Sequence, residues 1–195
     1  MTGKRQFLAA TTLALIGSQA SATPSKGSGA AGPGLLTVTG SISKANRGPL
    51  DKALDQMMAK QQQSFTQAHV FDFAALLKLP VRTIRPTLEY DAKVHALRGP
   101  LLADVLRAAG APDEAATPLG LRAIDGYTVP ITLGEAKRLN LIVATHLDGK
   151  PMPLGGLGPL WAVLDADRIP ELAAKPLAER FAQCPWGLYH VTVGA

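Results

Sequence analysis

Chemistry in this 195-residue chain has to be built from four histidines, one cysteine and an unusual Gly- and Pro-rich run. His69, His95, His146 and His190 stand alone. No two lie three or four residues apart, so the H-E-x-x-H spacing that sets two imidazoles on one helix face around zinc is absent. None sits beside a carboxylate cluster, and each reads by itself as a half-buried strand residue; a metal site would have to be assembled in space. Cys184 has no second cysteine, so no internal disulfide braces the chain. It reads either as a small buried apolar side chain or as a reactive thiol. Pairing it with His190 would require the end of one strand to fold back on itself. There is no G-x-S-x-G elbow, no P-loop and no framed pair of carboxylates. Gly27 to Gly32 spell G-x-G-x-x-G, but no strand precedes them and no apolar helix follows, which excludes a dinucleotide site.

What remains is "DGKPMPLGGLGPLW", residues 148–161, set between the apolar runs "LIVATHL" and "LWAVL". Asp148-Gly149 closes a hairpin, the prolines stiffen the return, and Gly155, Gly156 and Gly158 permit close backbone approach. The stretch predicts a pocket rim. Its exposed amides would cradle a phosphate or carboxylate, and Asp148, Lys150, Gly156, Gly158 and Trp161 are its candidate cofactor contacts. Trp161 and Trp186 both follow Gly- or Pro-rich stretches. They read either as core residues at strand starts or as indoles rimming a pocket for a flat ring system.

The elements that must position these residues are short and mixed. "LLTVTGSI" alternates as a first strand, and "LDKALDQMMAKQQQ" carries Leu50, Leu54, Met57 and Met58 at helical spacing. In "FDFAALLKLP", Asp72 caps a short helix that Pro80 stops. "VRTIRPTLEY" and "KVHAL" read as extended. "RGPLLADVLRAAGAP" is the clearest helix: Pro100 at its first position, an apolar stripe of Leu101, Leu102, Val105, Leu106 and Ala109, and Gly110 at its end. Two Asp-Gly hairpins follow, around residues 125–126 and 148–149, with "GEAKRLN" as a short helix between them. Then come the strand "PLWAVLDAD", two helical pieces broken at Pro176, and the strand "WGLYHVTV". Strands and helices intermix without regular βαβ order, so the fold class is α+β.

The ends and the composition bound the setting. "MTGKRQFLAATTLALIGSQASA" has a basic start, an apolar run too short to span a bilayer, and a small-residue cleavage site at Ala20-Ser21-Ala22. Residues 1–22 read as a signal peptide, 23–34 as a flexible leader and 35–195 as one domain. "TGKRQFL" resembles a twin-arginine signal with Lys4 in place of the first arginine; the ordinary secretory route is the other reading. Cleavage removes Lys4 and Arg5 and no anion, taking the net charge from +5 to +3. Scattered arginines at that charge exclude a nucleic-acid groove.

The order of "LRGPLLADVLRAAGA", "AIDGYTVPI", "LIVATHLDGKPM", "GLGPLWAVLDAD" and "WGLYHVTV" resembles the short bacterial members of the molybdopterin-binding oxidoreductase family. The likeness covers about residues 35–195. It implies mixed sheets with short helices, as in the sulfite oxidase molybdopterin-binding core, together with export to the periplasm. In the full enzymes it implies two-electron oxo-transfer chemistry on molybdenum held by a pterin dithiolene and one cysteine. That cysteine belongs before the "LRGPLL" helix; here "VRTIRPTLEYDAKVHALRG" has none, and Thr83 and Thr87 lie in its region. A neutral hydroxyl is a weak, hard ligand where the chemistry needs a soft thiolate. The pterin apparatus is echoed by Asn46, Arg47 and Arg98. Two expectations follow: a metal-free module binding a small or anionic ligand, or a periplasmic or membrane partner protein; and a molybdopterin-dependent oxidoreductase.

Overall fold

The alternating stretch near residue 35 becomes β1 (Gly34–Gly40), whose Leu36 and Val38 are fully buried. The description comes from a computed structural model, which describes residues 32–194. The expected signal peptide and leader residues 23–31 lie outside the described residues. β1 sits second in a five-stranded sheet. β2 (Ala68–Asp72) is antiparallel on one side, and β11 (Leu188–Val193) is parallel on the other. The sheet continues antiparallel from β11 through β5 (Pro118–Ala123) to β6 (Thr128–Thr132), the first Asp-Gly hairpin. β11 is central, so both its faces are covered and five of its six residues are buried. Apolar residues on both faces of a strand are what such a position requires.

A second sheet carries the segments flanking the expected site. β3 (Val81–Ile84) pairs with β4 (Leu97–Pro100), which pairs with β8 (His146–Leu147) and through it with β9 (Lys150–Pro151), all antiparallel. β7 (Ile142–Ala144) pairs with β10 (Trp161–Val163), and all six residues of that pair are buried. Thr145 joins β7 to β8, its amide donating to the Arg98 carbonyl at 2.8 Å. Mixed sheets with short helices make the fold α+β.

Helices fill the gaps. α2 (Phe73–Leu77) starts as expected, with the Asp72 carboxylate accepting from the Ala75 amide at 2.6 Å. α3 (Leu102–Ala108) buries Leu102, Val105, Leu106 and Ala109 of the expected stripe, while Leu101, just before the helix, is half-buried. Pro100, however, is not its first residue. It closes β4, because pairing with Val81 claims it, and the Leu102 amide donates instead to the Leu141 carbonyl at 2.8 Å. α4 (Leu133–Arg138) has a full capping box between Thr132 and Glu135. α5 (Pro170–Ala173) and a 3₁₀ turn at Leu177–Glu179 flank Pro176, the break expected there.

The long helix expected over residues 50–63 shrinks to α1 (Gln56–Lys60). The Asp51 carboxylate accepts from the amides of Ala53 and Leu54, forming a turn that competes with the helix. Met58 is buried, but Met57 and Leu54 are exposed, so only one of the two methionines fills the core. Among the described residues no helix is long and apolar enough to cross a membrane.

Candidate functional site

A cavity of about 400 Å³ opens where β3, the end of α4 and the turn after β10 meet. β3 supplies Arg82 and Thr83, and α4 supplies Arg138 from its last turn. Asn140 follows the helix at φ +48°, a left-handed conformation that Asn tolerates better than most residues. Asp165 and Arg168 come from the 3₁₀ turn at Ala166–Arg168. Leu101, Leu139, Ile142 and Ile169 give the apolar part of the wall.

Three arginines and one carboxylate therefore line this space together. Arg138 donates to Glu171 at 2.7 Å, and Arg168 Nε lies 3.5 Å from Asp165 Oδ2. Arg82 is in no ion pair among the described residues. Asp165 Oδ2 accepts from the Arg85 amide at 3.3 Å, while Oδ1 is buried with no hydrogen-bond partner among the described residues. A buried acceptor of that kind favours a donor beside it. The arrangement suits a small anion, with guanidiniums for the charge.

Of the site residues expected from sequence, Thr83 alone lines this cavity. Thr87 is committed elsewhere: its amide and hydroxyl donate to Asp167 Oδ2 at 2.7 and 2.8 Å. Arg98 stands opposite Thr83 on β4, with His146 as its other cross-strand neighbour. Burial, then the Arg98 charge, holds the His146 imidazole below its ordinary range. Asn46 and Arg47 line a different cavity of about 340 Å³, with Gly34, Thr37 and Val70. The Asn46 amide is spent on the Val70 backbone, donating at 2.9 Å and accepting at 2.7 Å. Arg47 pairs with Asp55, its guanidinium 5.3 Å from the centre of the Phe65 ring. The expected grouping of Asn46 and Arg47 with Arg98 around one ligand is thus not formed.

The loop at residues 148–161 is not the rim of any of the five cavities described. Asp148 and Gly149 take the positive φ values of a tight hairpin turn, +48° and +80°. Asp148 then turns inward on its own chain, accepting from His95 Nδ1 at 2.7 Å and from the Ala96 amide at 2.9 Å. Lys150 and Gly156 are exposed. Gly158 is buried because Met152 packs where a side chain would go. Trp161 corrects the sharper expectation: it is fully buried, with Nε1 donating to the Cys184 carbonyl at 2.8 Å, so its indole faces core. The Gly-Pro stiffness serves packing at this position.

Sequence reasoning missed one constellation. His95 sits between two carboxylates, Nδ1 on Asp148 and Nε2 3.0 Å from Asp91 Oδ2. Asp148 first, then Asp91, raises its pKa, because a carboxylate at each ring nitrogen favours the charged form. Asp91 at i−4 was visible in the sequence; Asp148, across a sheet, was not. His190 behaves oppositely. It is buried against the Thr39 hydroxyl at 2.8 Å, and burial, helped by Arg122, lowers its pKa to about 4. Cys184 is buried and burial pushes its thiol up to about 12, which favours the inert reading over the reactive one. Among the described residues no group of three or more His, Cys, Asp or Glu is placed to hold a metal ion.

Comparison with known proteins returns no match, either to a family model or to a curated protein.

Proposed function

We propose that this chain is a metal-free binding module for a small anionic ligand, built on a sulfite oxidase-like molybdopterin-binding core and exported to the periplasm. The observation that carries the reading is the convergence of Arg82, Arg138 and Arg168 on one cavity beside Thr83 and Asn140. Arginine offers planar, always-charged donors suited to carboxylate and phosphate. The ordered motifs "GPLL-x-DVL", "DGKPM" and "GPLW" support the ancestry, and the N-terminal pattern of basic, apolar and small residues supports export.

The donor set does not fit a molybdenum centre. The side chains in the region of the expected ligand are the hydroxyls of Thr83 and Thr87, guanidiniums and the Asp165 carboxylate. Cys184, the one thiol of the chain, lines a different cavity, and burial keeps it protonated. A soft redox metal would find no thiolate here.

The test is calorimetric titration of the mature protein with inorganic phosphate and with a hydroxy-acid anion, repeated on Arg82→Gln. The reading expects saturable binding of each anion. It expects Arg82→Gln to weaken binding about tenfold, the loss of a charge-assisted hydrogen bond. Elemental analysis of protein purified from its native compartment tests the oxidoreductase reading. Stoichiometric molybdenum would overturn the metal-free assignment.

A further inference from the structure

A second cavity, of about 230 Å³, lies where the turn between β5 and β6 meets the segment leading into β11. It shares no lining residue with the arginine cavity. Its chemistry is the reverse. Tyr90, Tyr127, Phe181 and Trp186 line it with Glu89 and Asp125, and no Lys, Arg or His takes part.

Three of the rings are unusually open to solvent: Tyr90 at 55%, Tyr127 at 53% and Trp186 at 40%. The two tyrosines are nonetheless held in place. The Tyr127 hydroxyl donates to the Ala182 carbonyl at 2.8 Å, and its amide donates to the Asp125 carboxylate at 2.9 Å, fixing that carboxylate on the turn. Tyr90 packs on the buried Trp161, ring centres 6.5 Å apart, and Trp161 packs on Phe181 at 5.9 Å. Burial, and then the Glu89 carboxylate beside it, pushes the Tyr90 hydroxyl up to about 12, so the ring stays neutral. Arg122 spends its guanidinium on the Gly126 carbonyl at 3.3 Å and stays out of the lining.

We propose that this cavity binds a small organic cation, a quaternary or protonated amine, between the faces of Tyr90, Tyr127 and Trp186 and the carboxylates of Glu89 and Asp125. Aromatic faces carry the negative side of a quadrupole, and Trp is the strongest of them. Exposed rings next to carboxylates, with no competing cation in the wall, attract positive charge and repel anions. The volume suits an ammonium head group and is below the range of drug-sized sites.

The experiment uses the whole mature protein, with choline chloride as probe and 3,3-dimethylbutan-1-ol as its neutral isostere. Tryptophan fluorescence reports through Trp186, and proton NMR resolves the Tyr90 and Tyr127 rings. Choline is expected to bind saturably and about tenfold more tightly than the alcohol, the discrimination a cation–π site supplies. Glu89→Gln and Asp125→Asn each weaken choline several-fold and leave the alcohol unchanged; Asn keeps the turn acceptor. Equal affinity for choline and alcohol would overturn the proposal in favour of a plain apolar pocket. Binding of neither would overturn it outright, as would choline binding that is insensitive to both carboxylate variants. Phosphate binding at the arginine cavity is read separately, so either site can fail alone.

Discussion

Arg138, in the last turn of α4, donates to Glu171, in the first turn of α5, at 2.7 Å. Both partners are well exposed, at 60% and 56%, so the pair adds at most about 1 kcal/mol to stability. Its consequence is local: Glu171 holds one of the three guanidiniums that line the cavity and competes with any anion for it. Glu171→Gln should therefore leave the melting temperature nearly unchanged and tighten phosphate binding about two- to fivefold, the removal of one weak competing ion pair. Calorimetry on the variant checks this; weaker binding would mean that Glu171 positions Arg138 for the ligand.

His95 makes the β8–β9 turn sensitive to pH. Asp148 and Asp91 raise its pKa, so its pairing is fully present below the ordinary imidazole value of 6.5 and is lost as pH rises through the raised value. A proton NMR titration should place His95 above a free imidazole. Asp148→Ala should bring it down again and speed amide exchange at Ala96, whose N–H that carboxylate accepts. An unshifted His95 in the wild type would contradict the bridging geometry.

His190 has the opposite sign. Its folded pKa of about 4 lies below the ordinary 6.5, so the unfolded chain binds the extra proton between those values. Stability is full above about 6.5 and falls as pH drops towards 4, by about 3 kcal/mol for this shift. The depressed carboxylates Asp91 and Asp148 add losses only below their ordinary 3.8, outside that window. Urea unfolding at pH 7, 5.5 and 4.5 should show the decline in the wild type and a flatter profile in His190→Leu. An equal decline in both would remove His190 from the account.

Two glycines of the same loop should respond differently to alanine. A Cβ at 158 would lie 2.5 Å from the Met152 Cβ and 2.7 Å from its carbonyl, so Gly158→Ala should cost about 1–3 kcal/mol as overpacking. At Gly156 the nearest atoms are 3.9 Å away, and Gly156→Ala should be close to neutral. Thermal melts decide it; equal sensitivity would contradict the packing role assigned to this stretch.

Local signals in the sequence proved legible wherever a local cause set the structure. Asp72 capped its helix, both Asp-Gly pairs closed hairpins, and the stripe from Leu102 to Ala109 turned inward. Pro100 and the 50–63 segment departed because sheet pairing and the Asp51 turn overrode helical spacing. The site was less readable. Only Thr83 was named, because Arg82, Arg138 and Arg168 lie on three elements scattered over some ninety residues. Nothing in one dimension marks scattered arginines as neighbours. Trp161 and Trp186 looked alike in sequence, yet one is core and the other lines a cavity. Burial depth depends on what packs over a strand start, and a single chain segment does not display it.

The central claim is that the arginine cavity is where an anion binds. Amide NMR mapping of a phosphate titration on the protein tests it most directly. The account predicts saturable shifts clustered at Thr83, Asn140, Arg168 and Ile169, abolished in Arg82→Gln/Arg168→Gln. Shifts confined to the Asn46–Arg47 cavity or to residues 148–161, or no shifts at all, would contradict it.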